Sequence, residues 1–478
     1  GLPRHMSAHP CGLVITPMPV TDMIPLQICR KGYRITQWSM DEVEEAGFLK
    51  LDIIGQKGLA VIQDAAVLAG RDGGFDPASR RDLFSGNGPA ARMLREGRTV
   101  GCFYVESPVM IQMLRQARCE DFETLTALSS IIRPGVSSYG GKELYLSRHL
   151  GLEPAGRIDP VMDRVLEGTY GCLIYQEQVI RLAVEVSGMS YAEADGLRRC
   201  MSYKSGDNET MAQYRRPFVR GALEKGVSEE TAQAVFDWIA SFSGYAFCKA
   251  HSASFAMESL ASVYWKANYP AEFMAAVIAN GGGYYHTGEY VEEARRMGVR
   301  IEPPCVNRSS AATRGRDGRI LIGLRRIKGL TASTAQSIVE NRPYSSLADF
   351  RSRVRISDGE TESLIRCGAM RSFGASITRL LWERRILEAG ESRGQAGGRA
   401  AGAPALQLME RRSTSTDKPP GPYELIGMLP EMGGSVGLAR RVAMEMEVLG
   451  FAASAHPLAV FQDRISRLRE RVSITSSR

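Results

Sequence analysis

A chain of 478 residues exceeds one ordinary hydrophobic core and predicts two to four domains. Its 44% hydrophobic and 24% charged content is globular, and no apolar run is long enough to span a bilayer as a helix. The net charge of +7 permits a nucleic-acid partner without requiring one, and nine cysteines with no C-x-x-C pair exclude a zinc ribbon or disulfide framework.

Isolated cysteines fit a reducing, cytoplasmic setting. The N-terminus, "GLPRHMSAHPCGLVIT", has no signal-peptide layout, does not open on methionine, and reads as a fragment. Residues 1–60 alternate short apolar runs with turns: "GLVIT", "YRITQW" and "FLKLDII" read as strands of a small sheet. From about 60 to 300 the period becomes helical. "SEETAQAVFDWIASF" opens with Ser228 as an N-cap, and "SFAMESLASVYWKANYPAEFMAAVIAN" continues as helix with a break at Pro270. Residues 301–375 read as compact helices joined by glycine hairpins. Residues 376–435, including "EAGESRGQAGGRAAGAPA", read as a flexible linker. Residues 436–478 read as a last helical segment leading toward a further domain. No solenoid repeat is present.

The run Phe48–Ile54 reads as a buried strand, yet it carries Lys50 and Asp52. Alternation sets Lys50, Asp52 and Ile54 on one face and Leu49, Leu51 and Ile53 on the other. A carboxylate in a dry strand needs an ion pair or a metal, unless this face belongs to an edge strand and meets water, and spacing alone leaves all three open. "VGCFYVESPVM" reads as a strand ending in a Ser-Pro turn at Glu106–Ser107. Arg133 precedes a Pro-Gly turn that would hold it rigidly beside a phosphate. Arg198, Arg199 and Lys204 crowd a helix end, as a solvated face or as a phosphate clamp. Lys249 and His251 sit at a helix start, where either an anion corner or a simple helix cap fits. Arg319–Phe350 reads as helix, tight hairpin at Lys328-Gly329, helix. Glu362–Arg385 reads as a second such hairpin around "CGAMRSFG". Their amides could take DNA phosphates without reading sequence, or the pair could simply pack for stability.

The ordered blocks "HPCGLVI", "TQWSMDEVEEAGFLKLDIIG", "VGCFYVES", "IIRPG", "TYGCLIYQEQVIRLA", "EADGLRRCM", "GYAFCKAHSASFA" and "YWKANYPAEFMAAVIAN" together closely resemble the bacterial DNA polymerase III alpha subunits, the C-family of DNA polymerases. The resemblance runs from residue 1 to about 375 and returns at 445–466. It implies an α+β, predominantly α-helical fold with a partial nucleotidyltransferase-type palm sheet, helical fingers and a tandem helix-hairpin-helix module. Residues 1–60 would be the C-terminal part of the palm, 61–300 the fingers and 301–375 the DNA-binding hairpins.

In that family a "K-x-D-x-x-G" strand carries one of three metal-binding aspartates. The resemblance implies that Asp52 is a ligand to one of two Mg2+ ions and that Lys50 meets the incoming triphosphate. It implies template-directed transfer of a dNTP to a primer 3′-OH, with Arg133, Arg198, Arg199, Lys204, Lys249 and His251 as nucleotide or template contacts. Lys328 and Gly329 would lie at the DNA-holding hairpin. Primer-template DNA, dNTP, a sliding clamp and other replisome subunits are the implied partners. "LQLMERR" (Leu406–Arg412) sits where a clamp-binding peptide would fall but matches poorly. The family's PHP domain, its other two palm aspartates and its OB domain lie outside these residues, so the fragment alone should not polymerise. Val136 after "RPG" and "SYK" after "RRCM" depart from the commonest forms and mark a divergent paralogue, either replicase or accessory translesion copy. A non-catalytic DNA-binding module and an unrelated metal-dependent phosphotransferase are the alternatives; lack of a P-loop counts against the latter.

Overall fold

The computed structural model describes residues 8–9, 11–29, 32–53, 55–71, 88–132, 140–154, 160–202, 208–241, 248–395 and 436–471. The chain divides into two units, Gly1–Ala60 and Val61–Arg478.

The first unit holds two antiparallel ribbons. Strand β1 (Gly12–Ile15) pairs with β4 (Leu49–Asp52), and β2 (Leu26–Ile28) pairs with β3 (Arg34–Thr36). The register sets Gly12 opposite Asp52 and Val14 opposite Lys50. Helix α1 (Met40–Glu45) starts at a capping box, in which the Ser39 amide donates to the Glu42 carboxylate at 2.7 Å. Ile24 and Val43 form the buried core of this unit.

The expected buried strand is not buried. Leu13, Ile15, Leu49, Leu51 and Ile53 are between 44% and 61% exposed. Leu13 and Ile15 lie opposite Leu51 and Leu49, so their side chains share one face of the ribbon. On the other face the Asp52 side chain is 40% exposed, so its carboxylate stands in a wet strand. Ile54 lies outside the described residues.

The second unit is helical. Its helices, in order, are α2 (Lys57–Leu68, which begins in the first unit), α3 (Pro89–Arg95), α4 (Pro108–Gln116), α5 (Phe122–Ile131), α6 (Gly141–His149), α7 (Pro160–Leu166), α8 (Gln176–Ser187), α9 (Tyr191–Ser202), α10 (Asn208–Glu224), α11 (Glu229–Ser241), α12 (Lys249–Asn268), α13 (Pro270–Asn280) and α14 (Thr287–Arg296). The Ser228 hydroxyl accepts from the Thr231 amide at the start of α11, and Pro270 opens α13, as the sequence predicts. Helix α12 packs along α5 through small residues, and Ser130 Oγ meets Ser252 Oγ at 2.6 Å in the buried seam.

Residues 100–105 do not form the expected strand. Gly101 and Tyr104 adopt left-handed backbone (φ +86° and +62°), which breaks an extended ladder into turns. Glu106 closes that loop by accepting from the Gly101 amide at 2.8 Å.

Beyond α14 a small sheet forms: β5 (Arg300–Glu302) runs parallel to β7 (Arg319–Leu321), which pairs antiparallel with β6 (Arg314–Arg316). The expected helix at Arg319 is therefore a strand followed by a single 3-10 turn, Leu324–Arg326. Alternation at Arg319-Ile320-Leu321, with Ile320 buried, decides for the strand. Helices α15 (Ala332–Glu340), α16 (Leu347–Arg353), α17 (Asp358–Arg366) and α18 (Ile377–Gln395) follow. The linker expected from 376 is helical through 395. Leu380 and Leu387 are buried at a helical interval, and Arg379–Glu383 is an i,i+4 pair at 2.9 Å. Residues 396–435, with the clamp-peptide candidate Leu406–Arg412, lie outside the described residues.

Helix α19 (Leu438–Leu449) and α20 (Gln462–Arg471) complete the chain. Helix α19 docks beside the hairpins: Glu445 is fully buried and takes the amides of Ala453 and Ser454 at 2.8 and 2.9 Å, with Arg371 at 3.3 Å.

Candidate functional site

The first cluster lies on the β1–β4 ribbon. Lys50 Nζ donates to Asp52 Oδ2 at 2.7 Å, so the two side chains project into one space, as their alternation requires. This bond holds the Asp52 carboxyl below the usual carboxylate range and the Lys50 ammonium above its own. The other oxygen, Oδ1, faces His9 Nδ1 at 3.8 Å. His9 Nδ1 in turn accepts the Gly12 amide at 2.8 Å and lies 3.6 Å from Cys11 Sγ. The ligand atoms of His9, Cys11 and Asp52 all fall within 4.8 Å of one another. Behind Lys50 a cavity of about 500 Å³ is lined by His9, Val14, Arg34, Trp38 and Lys50.

Sequence reasoning missed His9 and Cys11. The H-x-C spacing just ahead of β1 was the signal, but only the register, with Gly12 opposite Asp52, brings it to the carboxylate. This donor set contains one carboxylate. Magnesium asks for near-octahedral oxygen ligation, so an imidazole, a thiol and one carboxylate do not by themselves build a magnesium site.

A second cluster gathers the expected cations of the helical unit. Helix α8 begins at Gln176, and its first turn is the meeting point. The Lys249 amide donates to Glu177 at 2.9 Å, and Lys249 Nζ lies 3.3 Å from Glu123 and 5.5 Å from the Tyr175 ring. Arg198 reaches Gln176 Oε1 at 3.3 Å and Asp195 at 2.8 Å. Arg199 pairs with the other Asp195 oxygen at 2.8 Å and is 71% exposed. Gln176 and Glu177 thus link α9 to the start of α12. His251 packs its ring against Phe255, centroids 4.2 Å apart. Arg133 and Lys204 lie outside the described residues.

The third expected site is the Lys328-Gly329 hairpin. Gly329 adopts φ +81°, the conformation that calls for glycine, and Lys328 is exposed. The hairpin amides are partly committed: those of Lys328 and Thr331 donate to Val448 O and Glu360 Oε1, each at 3.0 Å. At these two positions the amide expected to take a phosphate is already bonded within the protein.

Buried ionic groups elsewhere serve the framework. Glu106 accepts from the Tyr284 amide at 2.6 Å and the Tyr290 hydroxyl at 3.0 Å. Lys266, fully buried, donates to Arg98 O, Val100 O and Glu293 Oε1 at 2.9, 2.7 and 2.7 Å.

Three family models match in chain order: the bacterial DNA polymerase III alpha NTPase domain over residues 1–55, the bacterial DNA polymerase III alpha subunit finger domain over 78–226, and a helix-hairpin-helix motif over 298–380. A nucleic-acid-polymerase architecture is thus matched at its sheet, its helical body and its hairpins. The DNA polymerase III subunit alpha of Thermus aquaticus is 35% identical over 412 residues, covering 82% of this chain and 33% of the relative. That of Bacillus subtilis is 32% identical over 98% of this chain and 41% of the relative. An error-prone DNA polymerase of Corynebacterium glutamicum is 33% identical over 98% of this chain and 42% of the relative. The chain belongs to the bacterial DNA polymerase III alpha family, as a divergent member. It spans between 32% and 45% of the length of these and similar relatives.

Proposed function

We propose that this chain is the catalytic-sheet edge, fingers and DNA-holding hairpins of a template-directed DNA polymerase. The reaction is attack of a primer 3′-OH on the α-phosphate of a dNTP, with pyrophosphate leaving. The observation that carries the reading is the Lys50–Asp52 pair on β4, inside the stretch that matches the polymerase NTPase-domain model. Lys50 would hold the carboxylate in place through Oδ2 and leave Oδ1 without a bond to Lys50, and its ammonium would meet the triphosphate. Asp52 would give one oxygen to the two Mg2+ ions of the complete enzyme. Asp52 would be one ligand among several, because two ions in catalytic geometry need more than one carboxylate.

Residues 61–300 act as fingers in this reading, and Lys249, His251, Arg198 and Arg199 would contact nucleotide phosphates or template, joined by Arg133 and Lys204. Exposed Lys328 and the turn at Gly329 would hold duplex DNA through its backbone, without reading sequence. A sliding clamp and other replisome subunits are partners of the same reading, and the cytoplasm its location. No helix among the described residues is long and apolar enough to cross a membrane. Near-equal identity to a DNA polymerase III subunit alpha and to an error-prone DNA polymerase supports the replicase and the translesion reading alike. The test is primer extension by a full-length polymerase carrying Asp52→Asn. This reading expects extension to vanish with DNA binding retained; a non-catalytic DNA-binding module gives no extension with or without the substitution.

A further inference from the structure

We propose that His9, Cys11 and Asp52 form a binding site for a thiophilic divalent cation of the zinc class. His9 and Cys11 lie just ahead of β1 and Asp52 ends β4, and the β1–β4 register sets the three together. Ligands at about 2.0–2.3 Å around a tetrahedral ion stand roughly 3.3–3.6 Å apart. Cys11 Sγ lies 3.6 Å from His9 Nδ1, His9 Nδ1 lies 3.8 Å from Asp52 Oδ1, and all three atoms fall within 4.8 Å of one another, so an ion that draws them together also displaces the Gly12 amide from Nδ1.

The surroundings favour this geometry. Nδ1 accepts the amides of Gly12 and Cys11, at 2.8 and 3.4 Å, so the bonds that orient the ring aim its Nδ1 edge at the turn that carries Cys11. An ion takes over that lone pair, and the Gly12 amide turns to solvent. Lys50 keeps Oδ2, which fixes the carboxylate with Oδ1 toward the cluster, as outer partners of metal ligands do. On binding, the Cys11 thiol loses its proton to solvent, and water fills the fourth position of a three-ligand site. A nitrogen, a sulfur and a single oxygen select a zinc-class ion over magnesium. The site stands on these distances alone and does not depend on the polymerase reading. If that reading holds as well, zinc would occupy Asp52 Oδ1 and inhibit primer extension by displacing magnesium there.

The test is a Co2+ titration of the full 478-residue chain, followed in the near ultraviolet, where thiolate-to-cobalt charge transfer absorbs. The expected result is one equivalent of Co2+ giving the band, displaced by Zn2+ and not by an equal concentration of Mg2+. Cys11→Ser, a near-isosteric change, removes the band. His9→Ala and Asp52→Asn each weaken Co2+ binding by roughly tenfold or more. Circular dichroism matching the parent confirms that the variants fold. A band that persists in Cys11→Ser, or no band in a parent chain whose Cys11 still reacts with a thiol reagent, overturns the proposal. Neither outcome bears on primer extension by Asp52→Asn, so the two readings fail separately.

Discussion

Lys50 Nζ and Asp52 Oδ2 lie 2.7 Å apart on one face of β4, two positions apart in sequence. The Asp52 carboxyl is lowered by this hydrogen bond, so its contribution to stability is present above the ordinary carboxylate pKa, about 3.9, and fades as pH falls through the lowered value. Lys50 is raised, so its contribution is present below about 10.4 and fades as pH rises through the raised value. Replacing Lys50 by Met therefore moves the Asp52 titration to higher pH. Carbon-detected NMR of aspartate-labelled protein reads this directly; an unmoved Asp52 would mean that the pair does not form.

Lys266 and Glu293 make a second ion pair, this time with no access to water on the lysine side. Three acceptors satisfy the three ammonium donors, and removal of Lys266 leaves the Glu293 carboxylate, among the described residues, with the exposed Arg296 at 3.2 Å. Lys266→Ala should lower stability by roughly 3–5 kcal/mol, measured by urea unfolding. A variant as stable as the parent contradicts the pairing.

Glu258, on α12, is 8% exposed, and its Oε1 has no hydrogen-bond partner among the described residues. Burial raises its carboxyl from 4.5 to about 7. The folded protein then keeps a proton that the unfolded chain has released, so stability falls as pH rises from about 4.5 to 7 and levels off above. The shift corresponds to about 3 kcal/mol. Glu258→Gln should flatten this part of the profile, compared by urea midpoints at pH 5 and pH 8. An unchanged slope would place the cause elsewhere.

Lys328 is exposed, and its amide is spent on Val448, so the DNA contact proposed for it would rest on the side chain. Lys328→Ala should weaken duplex binding equally for all sequences and reduce the slope of log affinity against log salt by about one. A fluorescence-anisotropy salt series checks this; an unchanged slope removes Lys328 from the interface.

Much of the architecture was legible because local chemistry and tertiary packing agree. Ser228 caps α11, Pro270 opens α13, and the Lys50/Asp52 alternation survives intact. The misses have particular causes. The run Val100–Val105 has strand composition, but Gly101 and Tyr104 turn left-handed and Glu106 ties the loop shut. The run from Arg319 reads as helix ahead of the Lys328-Gly329 turn, whereas the short alternation around buried Ile320 makes a strand that pairs with both β5 and β6. Glycine-rich composition after 388 masked the helical spacing of Leu380 and Leu387 just before it. At the site, Lys50 and Asp52 are neighbours in one strand, so sequence spacing places them. His9 and Cys11 reach Asp52 only across a strand pairing, and Lys249 meets Glu177 across 72 positions, distances that no local pattern encodes.

The most direct test of the account is single-nucleotide primer extension by a full-length polymerase bearing Asp52→Asn, with primer–template affinity measured in parallel. The account predicts that extension is abolished while affinity stays at the parent level. Extension at the parent rate would contradict it, because Asp52 would then take no part in nucleotidyl transfer.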